Sequence, residues 1–75
     1  MTTTPLAHPD PRERLPAAIP KLRAFAISLA RDVTRADDLV QDTILKAWSN
    51  MDKFDPATNL DAWLFTTLRN TFYSS

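Results

Sequence analysis

Two groupings of side chains carry the residue types from which chemistry is usually built. Asp38 and Asp42 stand four apart, the spacing that puts two carboxylates on one helix face and within reach of a shared proton or cation. Phe65, Arg69, Phe72 and Tyr73, with Thr66 and Asn70 among them, interleave rings with a guanidinium and an amide. That composition suits unstacked bases: rings stack on them, arginine holds phosphate, and an Asn amide reads a base edge. The carboxylate pair goes no further. No histidine or glutamate joins it, and the sole histidine, His8, lies among prolines near the terminus. With no activated nucleophile or base in sight, the reading is a non-enzyme without cofactor, metal or small-molecule substrate. The aromatic grouping has a plainer alternative, packing under a terminal tail or against a partner, and spacing alone leaves both open.

These residues need helices to position them. Leu15, Ala18, Ile19, Leu22, Phe25, Ala26, Leu29 and Ala30 recur at the three-and-four spacing of a buried helical stripe. Pro20 interrupts it, and the ring would kink a helix interior, so the helix is expected to begin near Pro20 after a lead-in turn. In the second element Thr34 and Asp37 form a capping-box-like start. Ala36, Leu39, Val40, Thr43, Ile44, Ala47, Trp48 and Met51 make its inward stripe, and the run is expected to stop around Lys53 and Phe54, before Pro56. A loop follows, with Asn59 as N-cap of a third helix whose inward stripe is Leu60, Trp63, Leu64, Thr67, Leu68 and Thr71. The fold class is therefore all-α: a small antiparallel bundle of three helices over residues 15–75, preceded by a disordered tail over 1–14. Leu45 lies about 140° from Val40 at about 100° per residue. It falls outside the stripe, among Asp38, Gln41 and Asp42, and reads either as part of a protein-docking face or as an ordinary exposed leucine.

Composition narrows the classes further. The 75 residues include no cysteine and no glycine, which removes disulfide scaffolds, thiolate metal sites and Gly-rich phosphate loops. A chain of this size buries only about 60% of the surface it exposes when unfolded, so its core is thin. No apolar run approaches a membrane span, and the start is not a signal peptide; a cytoplasmic protein is expected. The nine basic and nine acidic residues give zero net charge at pH 7, unlike a generic polyanion binder. The neutrality is a cancellation. Up to Arg35 six basic residues face three acidic ones, and from Ala36 onward three face six.

The stretches Ala36–Trp48 (ADDLVQDTILKAW), Met51–Asp55 (MDKFD) and Asn59–Asn70 (NLDAWLFTTLRN) together resemble region two of bacterial RNA polymerase sigma factors. The likeness is to the extracytoplasmic-function (ECF) group, and the ending RNTFYS is similar to its general-stress-response branch in alphaproteobacteria. The resemblance implies that Asp38, Gln41, Asp42 and Leu45 dock on the clamp helices of the polymerase largest subunit. It also implies that the promoter −10 element is melted and a non-template base flipped out. Phe54 and Asn70 would line the base pocket, Trp63 would support it, Arg69 and Tyr73 would lie near the strand, and Asn59 belongs to the same DNA-binding set. An anti-sigma factor is the further partner implied; as an alternative, the fragment would serve only as a helical interaction module for it, without binding DNA. The family usually continues into a Lys/Arg-rich helix and a second, −35-reading domain, so the chain is expected to be a fragment of a longer protein.

Overall fold

The computed structural model describes residues 11–74. The first ten residues of the expected tail lie outside them. The last four do not form a tail: Pro11–Arg14 is a 3-10 turn that runs directly into the first helix. Three helices follow, α1 (Leu15–Ala30), α2 (Val33–Ser49) and α3 (Leu60–Ser74), with a second 3-10 turn at Met51–Lys53. All three pack on one another around a single core.

Helix α1 begins earlier than expected and passes through Pro20. The amide hydrogen missing at Pro20 would have reached the carbonyl of Pro16, in the first helical turn, so one hydrogen bond is lost near the end rather than mid-span. Pro16 itself stands where no intrahelical donor is required. Against that loss, continuing the helix buries Leu15, Ala18, Leu22 and Ala26 on one stripe.

The link between α1 and α2 is two residues long. Arg31 takes the left-handed conformation (φ 57°), and its amide donates to the Ile27 carbonyl at 2.7 Å. Glycine usually fills such a position, and this chain has none. The sharp turn places Asp32, not Thr34, at the cap of α2. The Thr34 and Arg35 amides donate to Asp32 Oδ1 at 2.9 and 3.4 Å, so the helix starts two residues before the expected capping box.

Ala36, Leu39, Val40, Thr43 and Ala47 are the buried line of α2. Trp48 is not part of it: the side chain is 53% exposed. Successive steps of four residues drift by about 40° each, so a line from Val40 through Ile44 has rotated off the core by Trp48. Asn50 ends the helix, its side-chain amide donating to the Lys46 carbonyl at 2.8 Å. Met51 then re-enters the core from the 3-10 turn.

In the loop, the Ala57 amide donates to Asp55 Oδ1 at 2.9 Å, and the Thr58 amide to the Asp55 carbonyl at 2.9 Å. Asn59 caps α3 as expected, with Oδ1 accepting the Ala62 amide at 3.2 Å. Leu60, Leu64 and Leu68 are fully buried, as are Leu22 and Thr43. The Thr43 hydroxyl satisfies itself by donating to the Leu39 carbonyl at 2.7 Å. No helix of the described residues is long and apolar enough to cross a membrane.

Candidate functional site

The outer face of α2 presents Asp38, Gln41, Asp42 and Leu45, all exposed. Leu45 is 65% exposed, and at about 100° per residue it points almost directly away from the line of Ala36, Thr43 and Ala47. The four residues share this face but open toward different sides. Gln41 and Leu45 border a groove of about 590 Å³ between α1 and α2, whose floor is Ile19, Val40 and Ile44. Asp38 and Asp42 border a smaller cleft of about 130 Å³ with Arg35, Thr71 and Phe72, where α2 meets the end of α3.

Charge is distributed unevenly over this surface. Arg23 of α1 donates through Nε to Asp37 Oδ1 at 2.8 Å, and Lys21 of α1 pairs with Asp61 of α3 at 2.8 Å. The hydrogen bond from Arg23 to Asp37, then the carboxylate's charge, pushes the already high guanidinium pKa higher still. Both pairs are exposed and add little to stability. Asp38 and Asp42 make no hydrogen bond or ion pair with any described residue. The acidic excess of the second half of the chain is thus partly answered by α1, and what is left uncompensated on α2 is concentrated at these two carboxylates. Among the described residues no cluster of three or more His, Cys, Asp or Glu side chains could hold a metal ion.

The aromatic grouping of α3 divides into three. Phe65 turns inward and meets Phe25 of α1 edge-on at 5.3 Å. Phe72 is half-buried beneath the Arg35 guanidinium, 6.0 Å from its ring centre. Arg69 and Tyr73 stand on the outer side, Tyr73 70% exposed with its ring edge-on to Phe72 at 5.1 Å. The single face expected from spacing therefore spans too wide an arc: α1 and α2 cover one flank of it.

Asn70 falls on the opposite flank, two turns beyond Trp63. It is exposed, and Trp63 is half-buried. The Trp63 ring lies 5.1 Å from that of Phe54 at 45°. Phe54, expected to line a base pocket, is instead only 5% exposed and packs in the core behind Trp63. No base can stack on it without the loop opening. The Asn59 side chain, assigned by resemblance to the DNA-binding set, is engaged in the helix cap, its Oδ1 accepting the Ala62 amide.

One contact was not among the sequence expectations. Arg12, in the segment expected to be a tail, donates through Nη2 to the Trp48 carbonyl at 3.0 Å, and its guanidinium carbon lies over the indole, 5.3 Å from the ring centre. The signal available was the drift of Trp48 off the buried line.

The sequence pattern of the Sigma-70 region 2 family matches residues 17–75. The chain is 60% identical over 63 residues to the ECF RNA polymerase sigma factor EcfG of Rhodopseudomonas palustris strain TIE-1, covering 84% of this chain and 35% of that protein. It is 43% identical over 47 residues to the ECF RNA polymerase sigma factor SigL of Mycobacterium tuberculosis H37Rv, covering 61% of this chain and 27% of SigL. Its fold is similar to that of the sigma factor RpoE of Bartonella quintana, solved in complex with the anti-sigma factor NepR. There the TM-score is 0.78 and the identity 56%, over 84% of this chain and 39% of RpoE. The chain thus spans about a third of the length of these relatives.

Proposed function

The chain belongs to the Sigma-70 region 2 family, and from that premise we propose that it is the part of an ECF sigma factor that docks on core RNA polymerase and engages the promoter −10 element. The observation that carries the docking half is the outer face of α2. It presents two carboxylates that pair with no described residue, an amide and a largely exposed leucine. A small apolar patch rimmed by acid suits a basic helical hairpin such as the clamp helices of the polymerase largest subunit, the charge steering the encounter and fixing orientation. On this reading the protein works in the cytoplasm, and the general stress response is the regulatory setting suggested by its relatives EcfG and RpoE.

The −10 half rests on the flank formed by Trp63 and Asn70, with Arg69 and Tyr73 beside it. A flipped non-template base would stack against Trp63, which Phe54 backs from the core, and Asn70 would read its edge. Flipping costs a few kcal/mol, which stacking at about 1–3 kcal/mol per base and edge hydrogen bonds must offset. Arg69 is the sole basic residue of α3, so phosphate contacts add little and polymerase binding dominates in the isolated chain.

A second reading has one observation in its favour: RpoE, 56% identical, was solved with an anti-sigma factor. A helical inhibitor covering the same α2 face would exclude polymerase. The test is the affinity of core RNA polymerase for Asp42→Arg, read beside circular dichroism. Docking through α2 predicts binding at least about tenfold weaker at unchanged helicity. Undiminished affinity would reject the docking assignment.

A further inference from the structure

The Pro11–Arg14 turn lies wholly before the segment matched by the family pattern, residues 17–75, yet it reaches the far end of the outer face of α2. Arg12 is half-buried there, hydrogen-bonded to the Trp48 carbonyl at 3.0 Å, with its guanidinium carbon over the Trp48 ring, 5.3 Å from the ring centre. The carbonyl belongs to the last turn of α2, where a cation also meets the negative end of the helix dipole. The guanidinium thus meets both the backbone carbonyl and the ring of the same residue, contacts that limit how freely the indole can turn.

Trp48 follows Gln41 by seven residues and Leu45 by three, so it continues the same surface. The strip from Asp38 to Trp48 is about 15 Å long at 1.5 Å per residue. One end is acidic and the other ends in a large exposed ring. Trp and Arg are the residues most enriched where protein interfaces concentrate their binding energy, and an anchor whose rotamer is already fixed loses less entropy on association.

We infer that the docking face of α2 extends beyond the family domain onto the Pro11–Arg14 turn, with Arg12 as a positioning residue that holds Trp48 ready as the apolar anchor. The occupant is a helix of core RNA polymerase, basic where it crosses Asp38 and Asp42 and apolar where it reaches Leu45 and Trp48. The inference rests on the docking reading above, and charge complementarity along the strip selects the occupant.

The test uses the whole 75-residue chain labelled with 5-fluorotryptophan, the Trp48 fluorine line being assigned by its loss in Trp48→Phe. Core polymerase affinity is measured for the unaltered chain, Arg12→Ala, Arg12→Lys and Asp42→Arg. In the unaltered chain the Trp48 line broadens or shifts on adding polymerase. Arg12→Ala moves that line in the free protein and weakens polymerase binding about twofold to fivefold, the scale of an exposed cation–π contact. Arg12→Lys, keeping charge without the planar fork, falls between. Unchanged affinity in Arg12→Ala with loss in Asp42→Arg would overturn the inference and leave docking intact. Tighter binding in Arg12→Ala would also overturn it, making the turn a lid over Trp48. Equal affinity in all variants would overturn the docking reading and the inference with it.

Discussion

Asp38 and Asp42 differ from Asp37 and Asp61 in one respect that sequence spacing does not reveal: the latter two have partners on α1 and the former two do not. A carboxylate without a partner on a helix face is solvated in the free protein and costs little, so it is available to meet a cation in a complex. On α3 the corresponding distinction is between rings that the bundle uses and polar tips that it leaves out. Phe65 and Phe54 are spent in packing, whereas the Asn70 side chain is exposed and makes no hydrogen bond with a described residue. Asn70→Ala should therefore preserve helicity and reduce discrimination between a −10-like single strand and a scrambled one by about 1–3 kcal/mol, the worth of a base-edge hydrogen-bond pair. Strand affinities measured at several salt concentrations check this. Equal preference in the variant and the parent would remove Asn70 from base reading. Sequence alone placed Leu45 outside the core correctly, because one residue's angle is well defined. Phe54 was beyond its reach, because the loop that buries it has no periodicity to read.

At the scale of elements, the helices were legible wherever apolar spacing was unbroken, as in α3, whose Asn59 cap and Leu60, Leu64, Leu68 line stand where the pattern puts them. Boundaries set by the backbone were not. The start of α2 depends on Arg31 adopting a left-handed conformation, which no propensity for arginine would suggest, and the start of α1 depends on core packing overriding Pro20. The two residues that join α1 to α2, Arg31 and Asp32, make opposite predictions. Asp32→Ala removes the oxygen that accepts two amides and should lower stability by about 1 kcal/mol. Arg31→Gly relieves the left-handed strain and should raise it by up to about 1 kcal/mol, part of the gain being offset by the freedom glycine has when unfolded. Urea midpoints for the two variants, at unchanged slope, check both signs. If both substitutions destabilised equally, the junction would be held by something other than its cap geometry.

For the molecule as a whole, zero net charge describes a balance between regions rather than an even surface. Basic α1 neutralises Asp37 and Asp61, leaving the acid of α2 pointing outward at one edge and the Arg12–Trp48 pair closing the other end. A separate face of the bundle, along Pro16, Ala17, Pro20, Ala24 and Ser28 of α1, is exposed, uncharged and small-sided. That asymmetry gives the central claim a direct test. A photocrosslinking benzoylphenylalanine is placed at position 45 on α2, or at position 24 on α1, and each protein is irradiated with core RNA polymerase. Docking through the outer face of α2 predicts a crosslink from position 45 to the largest subunit and none from position 24. A crosslink from position 24 with none from position 45 would contradict it.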